Sequence, residues 1–278
     1  MIIDAKGLIA SPGFIDIHMH EENLKNDGNE FSISKNMLEM GVTTVLGGNC
    51  GTNYQSIAEF KEFIDRKGGC PVNYAMLSGY NSLRAREGLG FFDTASPDNI
   101  SNIHNRIKED IKEGAFGISF GIEYHPAITA ENIIDAANSC LEDDKYIVSA
   151  HYRSDASGAI DSIKEMIYIA DNIKAKFQIS HLSSCAAMGQ MKEALKLIDE
   201  GIKKNRRINF DTYPYNAFST TLGSAVFDGD CLEKWNISYE DILLKGEPYD
   251  NLRCSKEIFE DARKNYHGIR AICFAMTE

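Results

Sequence analysis

Short apolar or β-branched runs alternate with longer segments of helical period along most of this chain, an order that fits parallel strands joined by right-handed helical crossovers. The runs at 14–20, 43–47, 72–77, 116–120, 147–151, 177–181 and 208–213 read as seven strands. Between them, 56–66, 98–113, 130–142, 159–172 and 189–203 carry helical spacing. The third of these shows the logic: Ile133, Ile134, Ala137 and Leu141 share one face, Thr129 is a suitable amino-terminal cap, and Glu131 lies in the first turn. The expected architecture is α/β, a TIM-like (β/α) barrel with about seven of eight strands. Residues 11–220 would form it, after a remnant of a small β-sheet domain at 1–10. Residues 221–278, with Gly229, Gly246 and Pro248, read as an irregular or helical excursion or lid leading toward a missing eighth strand. An open barrel leaves its end strands with unpaired edges, which favours self-association.

A chain of 278 residues suits one such barrel. Its 29 basic and 41 acidic residues give a net charge of −12, which argues against nucleic acid or an anionic membrane as partner. Seven scattered cysteines do not form the dense framework of a small secreted domain, so reduced thiols in a cytoplasm are expected. No run of about eighteen apolar residues occurs, and the amino terminus lacks the basic and apolar regions of a signal peptide.

Candidate chemical groups collect where the strands end, and barrel enzymes keep their chemistry there. His18 and His20 alternate along the first run and so project to one face. Asn49 and Cys50 follow the second, Glu123 and Tyr124 the fourth, His151 closes the fifth and His181 the sixth. Thiolate and imidazole are zinc ligands, and strand ends can bring them to one mouth. Taken singly, each residue also has a plain packing role. Two alternate histidines can cap a strand, and a cysteine is often a small buried hydrophobe. Gly47, Gly48 and Gly51 around Cys50 permit a tight turn that would present its sulfur. Cys70, Cys140, Cys185, Cys231, Cys254 and Cys273 read as packing residues, His104 and His267 as surface, and His125 as a loop residue. Tyr213-Pro214-Tyr215 either covers the rim or aims a hydroxyl at substrate.

These residues fall into ordered motifs. They are Pro12-Gly13-Phe14-Ile15-Asp16-Ile17-His18-Met19-His20, Gly41-Val42-Thr43-Thr44-Val45-Leu46-Gly47-Gly48-Asn49-Cys50-Gly51, Gly117-Ile118-Ser119-Phe120-Gly121-Ile122-Glu123-Tyr124, His151-Tyr152-Arg153-Ser154-Asp155, Ile179-Ser180-His181-Leu182 and Asp211-Thr212-Tyr213-Pro214-Tyr215-Asn216-Ala217-Phe218-Ser219. In this order they resemble the amidohydrolase superfamily, and within it the N-acyl-D-amino-acid deacylases, or D-aminoacylases. The Gly-Asn-Cys-Gly motif discriminates, because most relatives place a carboxylated lysine there.

The resemblance implies a zinc-dependent hydrolase of the amide bond in small-molecule N-acyl-D-amino acids. It implies Cys50, His151 and His181 as ligands of one tight zinc, His18 and His20 as ligands of a second, weaker site, and Tyr124, Arg153, Tyr213 and Ser219 as substrate-binding positions. Tyr213 and Ser219 would bond the substrate carboxylate or carbonyl, with Tyr124 lining the pocket. Arg153 would bind an anion or orient carboxylates such as Asp155. Two departures stand out. Ser183 replaces the lysine usual two residues past the sixth-strand histidine, and the strand-eight aspartate that shuttles the proton has no counterpart, so no catalytic residue is assigned. Asp211, preceding the Tyr-Pro-Tyr rim, is a poor substitute. A hydantoinase- or dihydroorotase-like cyclic amidohydrolase is the alternative, against which the cysteine motif and the Asp-x-Tyr-Pro-Tyr run weigh. A metal-binding fragment without turnover is a further one.

Overall fold

The strand–helix units begin with polar caps that collect orphan backbone donors. Ser56, Ser96 and Thr129 accept the N–H groups of Glu59, Asn99 and Asn132, and each of those side chains bonds back to the cap's own N–H. The computed structural model describes residues 4–20, 31–204 and 207–277. Strand β1 (Phe14–Asp16) is followed by α1 (Ser32–Glu39), β2 (Val42–Gly47), α2 (Ile57–Arg66), β3 (Asn73–Met76), β4 (Ser78–Gly79), α3 (Tyr80–Arg86), α4 (Pro97–Lys112) and β5 (Gly117–Gly121). Next come α5 (Ala130–Cys140), β6 (Ile147–His151), α6 (Ala159–Asp171), β7 (Lys176–Ile179), α7 (Leu182–Ala186), α8 (Met191–Lys203) and β8 (Ile208–Phe210). The last stretch holds β9 (Phe218–Thr221), α9 (Cys231–Trp235), β10 (Ile242–Lys245), α10 (Lys256–Asn265) and β11 (Arg270–Cys273).

Parallel ladders run β1-β2-β3 and β4-β5-β6-β7-β8. Leu77 lies between β3 and β4, and its N–H donates to Gly47 O at 3.0 Å, so the two short pieces act as one strand. All seven expected strands therefore form, in sequence order, as the wall of an incomplete TIM-like barrel. Its core is built from strand residues such as Ile118, Phe120, Val148, Phe177 and Ile179 against helix residues such as Ile107, Ile133, Ile163 and Ile198. Among the described residues no ladder joins β1 to β8, and each pairs on one side only.

The structure departs from expectation in several places. Strands β1, β7 and β8 stop at Asp16, Ile179 and Phe210, short of His18, His181 and Tyr213, because the backbone turns out of the ladder to present those side chains. The region after the barrel is not irregular. Strands β10, β11 and β9 form an antiparallel sheet that encloses a second core including Phe218, Phe227, Trp235, Ile242, Leu244 and Phe259. Residues 4–10 form an exposed turn and no strand, while 1–3 lie outside the described residues. His104 faces inward from α4, and its burial lowers its pKa; His125 is buried too. Five of the six cysteines expected to pack are buried, and Cys70 is half-buried.

Replacing Phe177, 1% exposed, by Ala is expected to cost about 3–5 kcal/mol in urea unfolding. Phe14→Ala, at a position 64% exposed, should stay within about 0.5 kcal/mol of the parent.

Candidate metal centre

The carboxyl ends of the parallel strands open into a cavity of about 1160 Å³ whose lining includes His18, Cys50, His151, His181 and Asp211. Two backbone turns aim donors into it. Cys50 (φ 52°) and His181 (φ 37°) both occupy the left-handed region that side chains other than glycine seldom adopt, and such strain clusters at functional sites. The Cys50 turn depends on Gly51, at φ +75°, where a Cβ would stand 2.0 Å from Asn81 Oδ1. Asn81 in turn exchanges bonds with Gly121, its Nδ2 donating to the carbonyl at 2.8 Å and its Oδ1 accepting the N–H at 3.0 Å. The flanking glycines thus act as the sequence suggested.

Cys50 Sγ lies 3.5 Å from His18 Nε2 and 3.5 Å from His181 Nε2, and the three donor atoms fall within 4.8 Å of one another. Each imidazole is held by its other nitrogen. His18 Nδ1 faces the Asp211 carboxylate at 3.1 Å, so Nδ1–H donates there and Nε2 is the ring nitrogen that faces the sulfur. His181 Nδ1 sits 2.8 Å from Ser184 Oγ, which accepts from the Tyr152 hydroxyl at 2.8 Å and donates to His181 O at 3.0 Å. With the Ser184 proton spent on that carbonyl, His181 donates through Nδ1 and again leaves Nε2 free. His151 is turned the other way: Nε2 meets Glu123 Oε2 at 2.8 Å, which leaves the buried Nδ1 for the Cys50 side. Its ring lies 4.4 Å from that of His181.

The electrostatics match a metal-binding set. Burial works against a thiolate at Cys50, yet His18, His181 and hydrogen bonds from the imidazoles hold it well below the usual thiol value. Burial also opposes charge on His18, but the Cys50 thiolate and Asp211 raise its pKa to about 10. His151 is raised to about 9 against burial by Cys50 and Glu123, while burial and the neighbouring His151 lower His181. A polarisable thiolate with imidazole nitrogens converging on it is the donor chemistry that zinc takes once the rings give up their protons.

The other expected positions separate clearly. His20 is exposed on the rim, its ring 5.7 Å from that of His18. Tyr124, Tyr213 and Ser219 line the cavity. Arg153 does not: its guanidinium is engaged with Glu165 at 2.8–3.1 Å and with the carbonyls of Pro126 and Ile128. The substrate-binding expectation for Arg153 is corrected, because those contacts tie α6 to the loop after β5 and aim the side chain away from the mouth. Asp211 was undervalued. Its Oδ1 accepts the His181 N–H at 2.5 Å, Oδ2 accepts from Gln178 at 3.1 Å, and the carboxylate orients His18. The available signal was its place directly after β8, equivalent to the strand-end ligands.

No protein-family profile matches the chain. The chain is 28% identical over 246 residues to the D-aminoacylase of Alcaligenes xylosoxydans xylosoxydans, a match covering 79% of this chain and 50% of that protein. It thus spans about half the length of the curated relatives it matches. A crystal structure of D-aminoacylase described as defining a novel subset of amidohydrolases superposes with TM-score 0.78 and 25% identity, covering 96% of this chain and 61% of the other. The N-acyl-D-glutamate deacylase of Bordetella bronchiseptica, crystallised with zinc and a phosphonate mimic of a tetrahedral intermediate, shares the fold with TM-score 0.79 at 20% identity over 96% of this chain and 61% of its own. With the cysteine turn and the strand-end histidines in place, the chain is similar to D-aminoacylases in sequence and shares their fold.

Proposed function

We propose that the cavity holds a zinc ion and hydrolyses the amide bond of N-acyl-D-amino acids. The observation that carries this reading is the convergence of the Cys50 thiolate with imidazole donors at the strand ends. Cys50, His181 and His151 form the tight site, the last through its buried Nδ1. His18, and at the rim His20, furnish a weaker second site. Zinc bound there supplies an acidified water and polarises an amide carbonyl. The chain's own residues do the rest: Asp211, Ser184 and Glu123 fix the imidazoles, while Tyr124, Tyr213 and Ser219 orient the acyl amino acid by their hydroxyls. A second reading is zinc binding without turnover: Asp211 and Glu123 are each engaged in orienting an imidazole, and among the described residues no further carboxylate is seen beside Cys50 to move a proton.

Chelator competition tests the metal site. The parent is expected to retain zinc, Cys50→Ala to lose at least about 100-fold in affinity, and His151→Ala to lose far more than His20→Ala. Since the His18 and His151 rings carry protons up to about 10 and about 9 and must shed them to ligate, affinity should rise between pH 6 and pH 8. Zinc-independent behaviour of Cys50→Ala would sink the assignment.

Substrate charge is testable too. No lysine or arginine is among the described residues lining the cavity, so a second carboxylate on the substrate would be desolvated without a cation. N-acetyl-D-leucine is expected to be cleaved at least about tenfold faster than N-acetyl-D-aspartate in kcat/KM. Zinc retention with no turnover of either would favour the second reading.

The one-sided strands also support self-association, since β1 presents Phe14 and Ile15 at 64% and 66% exposure beside an unpaired ladder. Light scattering should show concentration-dependent association that Phe14→Lys suppresses; a monomer at all concentrations would refute it.

A further inference from the structure

Beside His151, on the cavity wall that meets helix α9, lies a charge arrangement completed by a residue next to the second core. Glu123, which fixes His151, and Asp155 are both carboxylates at 9% exposure or less, and both face one cation, Lys234. Lys234 Nζ is in direct contact with Asp155 Oδ1 and 3.8 Å from Glu123 Oε1. The next residue of the same helix, Trp235, donates Nε1–H to Asp155 Oδ2 at 2.8 Å. Helix α9 therefore meets Asp155 through two consecutive side chains.

We propose that Lys234 is a positioning residue for the metal centre: by offsetting the buried Glu123–Asp155 pair, it keeps Glu123 fixed as the acceptor of His151 Nε2–H and so keeps His151 Nδ1 turned toward the Cys50 and His181 donors. The inference rests on the zinc reading for its functional consequence, but the geometry it asserts does not need the metal. Two carboxylates crowded in a low-dielectric region repel strongly, and only a nearby cation lets both stay in place as acceptors. Without Lys234, the strain falls on the bond that sets the His151 ring.

The test uses Lys234→Met, Asp155→Asn and the double variant. In the parent, the His151 Nε2–H proton should appear in proton NMR as a downfield signal protected from exchange, with or without added zinc. In K234M that protection should be lost, and zinc affinity, read by chelator competition, should fall by roughly tenfold to a hundredfold, the range for losing a ligand-orienting partner. Cobalt substitution gives a third reading, with the thiolate charge-transfer band shifted in K234M. Adding D155N removes the surplus negative charge, so the double variant should recover most of the protection and affinity. An unchanged His151 proton in folded K234M overturns the proposal, as does a double variant worse than either single one. If K234M does not fold, the double variant decides, because cation and carboxylate leave together: retention of the His151 proton supports the proposal and its loss overturns it. Failure of the parent to hold zinc while the His151 proton behaves as described would defeat the metal reading and leave the positioning role standing.

Discussion

One carboxylate holds the mouth of the barrel together. Asp211, directly after β8, accepts the backbone N–H of His181 beyond β7 and faces the ring of His18 beyond β1. No backbone ladder joins β1 to β8 among the described residues, so this side-chain contact is what brings the two ends of the parallel run to one place. It also sets chemistry. By taking the Nδ1–H of His18 it leaves Nε2 for the cavity, and by taking the His181 N–H it helps stabilise a left-handed backbone that would otherwise be costly. Although burial would raise its pKa, the hydrogen bond and charge of His18 and the His181 N–H bring Asp211 below the usual carboxylate range.

The same logic of one nitrogen held and one free recurs in each imidazole, with three different anchors: a carboxylate for His18, a serine hydroxyl for His181 and a glutamate for His151. The ring orientations are thus built into the protein before any ligand arrives, which lowers the ordering cost of binding. The thiolate is the common neighbour. Its charge, unfavourable when buried alone, is stabilised by the imidazoles around it, and theirs by it.

The parallel run was legible because its signals are local. Apolar strand cores of four to six residues, caps such as Thr129 and helix faces such as Ile133 with Ala137 are short-range features, and they fell where periodicity placed them. The turn at Cys50 was legible from its glycines. What sequence could not supply was direction: the resemblance made Arg153 a substrate-binding position, with orienting a carboxylate such as Asp155 as the alternative, and the carboxylate it engages is Glu165 of α6. Asp211 was undervalued for the converse reason, since its partners come from residues far away in sequence. The antiparallel unit around β11 was missed because β9, β10 and β11 are short and pair non-locally, so no periodic signal of useful length announces them.

Two separate apolar cores have a thermodynamic consequence. The barrel's core and the cluster around Phe227, Trp235 and Phe259 are distinct, and they meet at few residues, among them Ala156, Tyr124 and Met188. Cooperative opening of the smaller unit would therefore expose its own apolar surface and the few barrel residues against it, and break the polar contacts at Asp155, at a free energy below that of global unfolding. Its backbone amides should exchange with solvent as a group, on a faster clock than those of β5 and β6, so that the mouth of the cavity borders a region able to breathe while its floor stays fixed.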